Sequence, residues 1–193
     1  YLDGARIFNA CAVTGATVAD YAAHADAMMF SLSKGLGAPI GSVLAGDTEF
    51  IREARRLKIL FGGAWRQAGI VAAAGLLALE QGPDRLIADH ENARRLAEGI
   101  AELLPGSVDP AAVPTNIVFV DVSGTGRTAR EWVARLAAEG VLVTFIANRV
   151  RMLTHRDVDT VGVDATLAAW RRVAAGFATP MPTTMGPRGR GLN

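Results

Sequence analysis

Lys34 stands in a stretch of the sequence where a solvated lysine would usually have polar neighbours. The segment SLSKGLGAP, residues 31–39, holds no other charged residue. A lysine amine is nucleophilic only when it is deprotonated, and burial or a nearby cation favours that neutral form. Such an amine can form a Schiff base with an aldehyde such as pyridoxal phosphate. From this stretch alone, a lysine that extends into solvent from a glycine-rich turn is the simpler interpretation.

Asp3 and Arg6, in the segment DGAR at the start of the chain, could complete such a site. A carboxylate on the pyridine nitrogen of pyridoxal phosphate keeps the ring protonated as an electron sink, and Asp3 is a candidate for it. An amino-acid substrate requires a guanidinium fork for its own carboxylate, for which Arg6 and Arg151 are candidates. Simpler interpretations stay open, because Asp-Gly is a common turn and Arg149 would share a strand face with Arg151.

The secondary structure predicted around these residues would bring Asp3 and Lys34 to the same edge of a sheet. The apolar run at 27–32 predicts a buried strand that ends just before Lys34, and 42–45 predicts a second strand. Helices are predicted at 6–14, 18–25, 48–60 and 66–81, the last packed on most of its faces. Because ligands gather at the carboxyl ends of strands in open α/β sheets, Asp3 and Lys34 are expected to face one pocket.

The second half of the chain predicts a different arrangement. One helix is expected to end at residue 81 and another to begin at Asp84, and residues 1–82 are expected to form a domain separate from 83–178. The later elements are strands at 117–120, 141–143 and 150–153 and helices at 128–139 and 158–177. This order is typical of a small α+β domain with an antiparallel sheet. Residues 179–193 have no apolar period and are expected to form a mobile tail.

Composition and charge argue against several classes of function. Of the 193 residues, 50% are hydrophobic and 20% charged, as in globular proteins. The net charge of +1 argues against nucleic-acid or membrane-surface binding by bulk charge, and the longest apolar run, 68–79, is shorter than the roughly 20 residues of a membrane span. The lone Cys11 fits a reducing, cytoplasmic location. His24, His90 and His155 lack metal-ligand spacing, so no metal is expected, and His90 is expected to be solvated.

Four segments together resemble one family. YLDGARIFNA, SLSKGLGAPIGSVLAG, GGAWRQAG and RMLTHRDVD match, in order and spacing, the low-specificity L-threonine aldolases, which are fold-type I pyridoxal-phosphate enzymes of the β-eliminating lyase group. The resemblance runs from residue 1 to about 178. It implies an α/β fold, in which residues 1–82 are the remainder of a large cofactor domain and 83–178 a small α+β domain. It also implies a homotetramer that cleaves L-threonine or L-allo-threonine to glycine and acetaldehyde.

The resemblance implies a role for each candidate residue. Lys34 matches the lysine that forms the Schiff base with pyridoxal phosphate, and Asp3 matches the acid on the pyridine nitrogen. Arg6 and Arg151 match the arginines that hold the substrate carboxylate. Arg66 matches an arginine that reaches the cofactor site of a neighbouring subunit near the phosphate.

Several departures from the family limit what the resemblance implies. Tyr1 stands where members often have His, and Ile59, with Lys58 beside it, stands where they often have a lysine. The chain opens as if on the end of a strand, so we expect the C-terminal part of a longer protein. The resemblance places the phosphate loop, the ring-stacking imidazole and a candidate base in the other part, so an incomplete site is expected. Alternatives are a related lyase, acting on phenylserine or by β-elimination, and an inert assembly module.

Overall fold

The structure, a computed structural model, describes residues 1–178, and the tail predicted at 179–193 lies outside them. The helices in this part are α1 (Ile7–Thr14), α2 (Val18–Ala22), α3 (Thr48–Leu60), α4 (Gly69–Leu103), α5 (Ala129–Ala138) and α6 (Thr160–Ala178). The strands are β1 (Leu2–Asp3), β2 (Ala27–Ser31), β3 (Ser42–Gly46), β4 (Ile117–Asp121), β5 (Thr144–Ile146) and β6 (Arg149–Leu153). They form two three-stranded sheets, ordered β1-β2-β3 and β4-β6-β5. The predicted α/β character is confirmed.

The first sheet brings two segments of the chain to the same edge. β1 pairs with β2 in parallel, with Asp3 opposite Met29, whereas β2 and β3 are antiparallel. Because parallel strands point the same way, the chain leaves β1 at Gly4 on the side where it leaves β2 toward Lys34. The Gly4 N–H donates to the Met29 carbonyl at 2.8 Å and fixes this junction.

The prediction of separate helices, one ending at residue 81 and one beginning at Asp84, is wrong, because α4 continues through Gly82 and Pro83. Gly82 instead permits a close approach: a Cβ placed on it would lie 2.9 Å from Leu36 Cδ2 and 3.1 Å from Leu36 Cα and O. The glycine therefore allows the turn after β2 to pack directly on α4. The predicted boundary between residues 82 and 83 falls inside this helix, and the division into two domains stays a prediction.

The second sheet is antiparallel throughout, as predicted for this part of the chain. β6 lies at its centre, between β4 and β5. The strand predicted at 141–143 is wrong, since the third strand is Thr144–Ile146. The Val141 N–H donates to the Leu136 carbonyl at 2.8 Å, so it closes the end of α5 rather than joining a strand ladder.

Most of the buried apolar core belongs to the second half of the chain. Trp132 and Trp170 stack there with 4.8 Å between their ring centroids, and both are fully buried. The first half has a smaller buried cluster of Leu36, Ala38 and Ala78, which joins the turn after β2 to α4. This small cluster supports the turn after β2 on one side of the candidate site, and the second sheet supports the loop after β6 on the other side.

The first half of α4 is more exposed to solvent than its sequence predicts. Its large apolar residues Ile70, Leu76 and Leu77 are exposed, so the expectation that 66–81 packs on most faces is wrong for the described chain. None of the helices within residues 1–178 combines the length and apolar character needed to cross a membrane.

Candidate active site

A cavity of about 380 Å³ opens between the turn that follows β2 and the loop that follows β6. Its wall carries the cationic side chains of Arg6, Lys34 and Arg156, with the polar residues Ser33 and Asn116. Among the described residues, no ion pair involves Arg6, Lys34 or Arg156, so these charges are available to an anionic ligand. In the same part of the chain, no cluster of three or more His, Cys, Asp or Glu could hold a metal ion.

One carboxylate also reaches the cavity wall. Asp157 lines the cavity, and its Oδ2 lies 3.6 Å from Nδ1 of His155, which lines it too. Both side chains are at least half exposed, so this pair only weakly offsets the positive charge around it. The cavity as a whole suits a small anionic molecule in both volume and charge.

Lys34 lies at the start of a compact turn, with its side chain exposed at the cavity. The Gly37 N–H donates to the Lys34 carbonyl and the Ala38 N–H to the Leu32 carbonyl, both at 2.9 Å. Leu36 and Ala38 are buried beneath the turn. The apolar neighbours seen in the sequence therefore do not bury this lysine; they anchor the turn that presents it.

Asp3 ends β1 at the same sheet edge. Its carboxylate is exposed, and Oδ1 accepts a hydrogen bond from the Ala5 N–H at 3.1 Å. This is the local turn contact that the simpler interpretation of Asp3 predicts. Asp3 does not line the cavity itself, but its exposure leaves the carboxylate accessible to a ligand that extends beyond the cavity wall.

Arg6 and Arg151 lie close enough to influence each other. Burial, and after it the charge of Arg151, lowers the pKa of the Arg6 guanidinium. Arg149, the alternative to Arg151 on the same strand, has its guanidinium carbon 4.9 Å from the centroid of the Phe119 ring. The two arginines of β6 thus have different surroundings: the charge of Arg151 affects the cavity residue Arg6, whereas Arg149 lies over an aromatic ring.

Arg66 does not join this group. It lies in the segment between α3 and α4, where its side chain is exposed, and it is not part of the cavity wall. The structure therefore brings Arg6 and Lys34 into one cavity, sets Arg151 near Arg6, and leaves Asp3 and Arg66 outside. The expectation that Asp3 and Lys34 both face this pocket is wrong for the described residues, because Asp3 turns into its own local hydrogen bond at the sheet edge.

The sequence did not single out two groups at this site. Arg156 lines the cavity and packs on the turn, since a Cβ placed on Gly37 would lie 2.8 Å from Arg156 Cδ. Beneath the turn, Asn9 Nδ2 lies 3.0 Å from His90 Nε2. The expectation that His90 is solvated is therefore wrong: burial lowers the pKa of its imidazole, although the Asp89 carboxylate acts in the opposite direction. No periodicity reveals these contacts, because the partners are distant along the chain.

Comparison with known sequences gives a consistent family. The family model described as Beta-eliminating lyase matches residues 1–123. The chain is 36% identical over 185 residues to low-specificity L-threonine aldolase 1 of Arabidopsis thaliana, covering 95% of this chain and 52% of that protein. It is 37% identical over 175 residues to the low specificity L-threonine aldolase of Escherichia coli, covering 91% and 51% respectively. The chain thus spans about half the length of the curated relatives it matches.

A solved structure gives the same result for the fold. The crystal structure of a protein named as a putative aromatic amino acid beta-eliminating lyase/threonine aldolase, from an Exiguobacterium species, superimposes with a TM-score of 0.69 at 25% identity. The match covers 89% of this chain and 51% of that one.

Proposed function

The chain belongs to the β-eliminating lyase family, and we propose that it is part of a pyridoxal-phosphate-dependent threonine aldolase. The proposed reaction breaks the Cα–Cβ bond of L-threonine or L-allo-threonine and releases glycine and acetaldehyde. The observation that carries the proposal is the meeting of Lys34 and Arg6 at one cavity, with Arg151 beside Arg6. Enzymes of this family use pyridoxal phosphate, which supplies an electron sink for bond cleavage when bound.

The residues present suit both the cofactor and the substrate. Pyridoxal phosphate and an amino acid each carry an anionic group, and Arg6, Lys34 and Arg156 turn positive charge toward the cavity. Lys34 extends from a turn that the buried Leu36 anchors. The backbone of Lys34 is therefore held in place, while its long side chain can adjust to bring the amine to a ligand. This combination of a held turn and a cationic cavity supports binding of a phosphorylated aldehyde.

Each residue has a distinct part in the proposal. Lys34 holds the cofactor through its amine, and Asp3 keeps the pyridine nitrogen protonated from the sheet edge. Arg6 and Arg151 bind and orient the substrate carboxylate. Arg66, which lies outside the cavity, serves the cofactor site of a neighbouring subunit. A homotetramer and a cytoplasmic location are parts of the same proposal.

Lys34 and Lys58 are the only lysines in the sequence, which permits a direct test of the lysine assignment. The 193-residue chain is incubated with pyridoxal 5′-phosphate, reduced with borohydride and mapped by mass spectrometry. Both lysines are exposed, so accessibility alone predicts similar labelling. The cationic cavity instead predicts preferential labelling of Lys34, and the excess should decline as salt screens Arg6 and Arg156.

Lys34→Ala is the matched variant for this experiment. It should remove the preferential label and leave the Lys58 label unchanged. Equal labelling of the two lysines in the unsubstituted chain would contradict the role assigned to Lys34 and favour an inert assembly module.

The products separate aldolase from related lyase activity, which the name of the matched Exiguobacterium structure also includes. Acetaldehyde released from L-threonine or L-allo-threonine supports the aldolase. Benzaldehyde released from phenylserine in preference, or pyruvate formed from serine, would instead support the related lyase.

A further inference from the structure

Asn9 lies directly beneath the turn that carries Lys34. Its side chain projects from α1 and is only 2% exposed. A Cβ placed on Gly35, the residue after Lys34, would lie 2.9 Å from Asn9 Oδ1 and 3.0 Å from Leu86 Cδ2. A side chain at position 35 would have to displace Asn9 and Leu86, so the backbone of the turn lies directly against Asn9 and against α4.

The orientation of the Asn9 amide follows from its partners. Asn116 Nδ2 donates to the Thr154 carbonyl at 2.8 Å, which turns Asn116 Oδ1 toward Asn9. That oxygen can only accept, so Asn9 Nδ2 is the donor at 3.4 Å. The same Nδ2 lies 3.0 Å from His90 Nε2. Because Nδ2 carries only hydrogens, His90 Nε2 must accept, and the imidazole is neutral with its proton on Nδ1.

These hydrogen bonds join elements on both sides of the cavity. Asn9 belongs to α1 and His90 to α4, while Asn116 precedes β4 and Thr154 follows β6. Asn116 and Thr154 also line the cavity, and Thr154 Oγ1 donates to the Asp89 carbonyl of α4 at 2.6 Å. The support beneath the turn is therefore connected to the opposite wall of the cavity.

We propose that Asn9 is a positioning residue for Lys34: it supports the turn at Gly35, and its hydrogen bonds to Asn116 and His90 fix that support. This inference rests on the proposed role of Lys34. Asn9 touches neither ligand nor reacting atoms in this role. It acts by holding the turn that directs the Lys34 amine into the cavity.

Asn9→Asp tests the inference, because it keeps the shape of the side chain and removes both N–H donors. The readout is the ratio of pyridoxyl label on Lys34 to that on Lys58 after borohydride reduction. We expect the ratio to fall about fivefold or more, since a buried amide partner is lost and the turn is no longer held in one position. Asn9→Ala, which introduces no buried charge, should lower the ratio in the same direction if Asn9→Asp does not fold.

Asn148→Ala is the matched control. Asn148 also bridges two segments, accepting from the Ala129 N–H at 2.9 Å and donating to Ser123 Oγ at 3.0 Å, but neither of these partners belongs to the turn that carries Lys34. Its loss should lower the free energy of unfolding and leave the labelling ratio unchanged. A general loss of stability is thereby distinguished from a loss of positioning.

Nitrogen-15 NMR of His90 gives a second readout that unspecific destabilisation would not produce. In the unsubstituted chain, Nδ1 should carry the proton at neutral pH; in Asn9→Asp, the facing carboxylate should draw a proton onto Nε2. An unchanged labelling ratio in Asn9→Asp, or a protonated Nε2 in the unsubstituted chain, would overturn the inference alone. Equal labelling of Lys34 and Lys58 before any substitution would overturn the proposed function and the inference with it.

Discussion

Arg6 and Arg151 are held near each other although their charges repel. The repulsion adds to burial in lowering the pKa of the Arg6 guanidinium, and it opposes folding of this part of the chain. A carboxylate bound between the two groups would replace the repulsion by charge-assisted hydrogen bonds. The arrangement therefore favours binding of an anion over stability of the empty site, as expected of a substrate-binding pair.

The two arginines of β6 allow this interpretation to be tested with a matched pair. In the longer enzyme of which this chain is proposed to be part, Arg151→Met should raise KM for threonine about ten- to hundredfold, measured by acetaldehyde release, because charge-assisted contacts to the substrate carboxylate are lost. Arg149→Met removes a guanidinium from the same strand face but one that stacks on Phe119, and it should change KM little. The reverse order of effects would assign the substrate carboxylate to Arg149.

Among the elements, the strand β2 and the turn after it show what local sequence can predict. The apolar run at 27–32 was sufficient to predict the strand, and the glycines after Lys34 were sufficient to predict the turn, because strand and turn preferences act over a few residues. The predicted end of a helix at residue 81 was wrong, since Gly82 lies inside α4 and its close contact is with Leu36, far away along the chain. The residue types singled out Asp3, Arg6 and Lys34, and the resemblance implied a role for each, but only the folded chain brings Asn9 beneath the turn.

Neighbouring substitutions in α4 should have opposite effects on stability. Gly82→Ala should lower the free energy of unfolding by about 1–2 kcal/mol, because the added methyl group would lie only 3.1 Å from Leu36 Cα and O, and this crowding should outweigh the helix propensity that alanine gains over glycine. Pro83→Ala should raise it by about 1–3 kcal/mol, since alanine restores an N–H donor inside the helix. Gly69→Ala, in the same helix with open space around its Cβ position, is the control and should not destabilise. Urea denaturation measures all three, and a stabilising Gly82→Ala would contradict the packing role of this glycine.

Apolar side chains are distributed unevenly over the whole molecule. The second half encloses a core around Trp132 and Trp170, whereas many large apolar side chains between α3 and the first half of α4 are exposed. We call these residues the α3–α4 apolar surface; they are Ile59, Leu60, Phe61, Trp65, Ile70, Leu76 and Leu77. Helical periodicity predicted the two helices but not which of their faces are covered, because coverage depends on partners that a local pattern does not contain. Exposed apolar side chains concentrated in one segment of the chain, residues 59–77, are typical of a contact with another protein surface.

The α3–α4 apolar surface predicts self-association of the chain, in line with the homo-oligomer that the resemblance implies. Phe61 and Ile70 are 82% and 80% exposed, so replacing both by Ser removes apolar contact area without opening a cavity in the core. The double variant should weaken self-association at least about tenfold in sedimentation velocity, since each side chain contributes about 1.5–3 kcal/mol when fully buried. Val161→Ser removes a residue that is 71% exposed at the start of α6, outside this surface, and should leave association unchanged. If Val161→Ser weakened self-association equally, the prediction would be contradicted, because the contact would then not depend on the α3–α4 apolar surface.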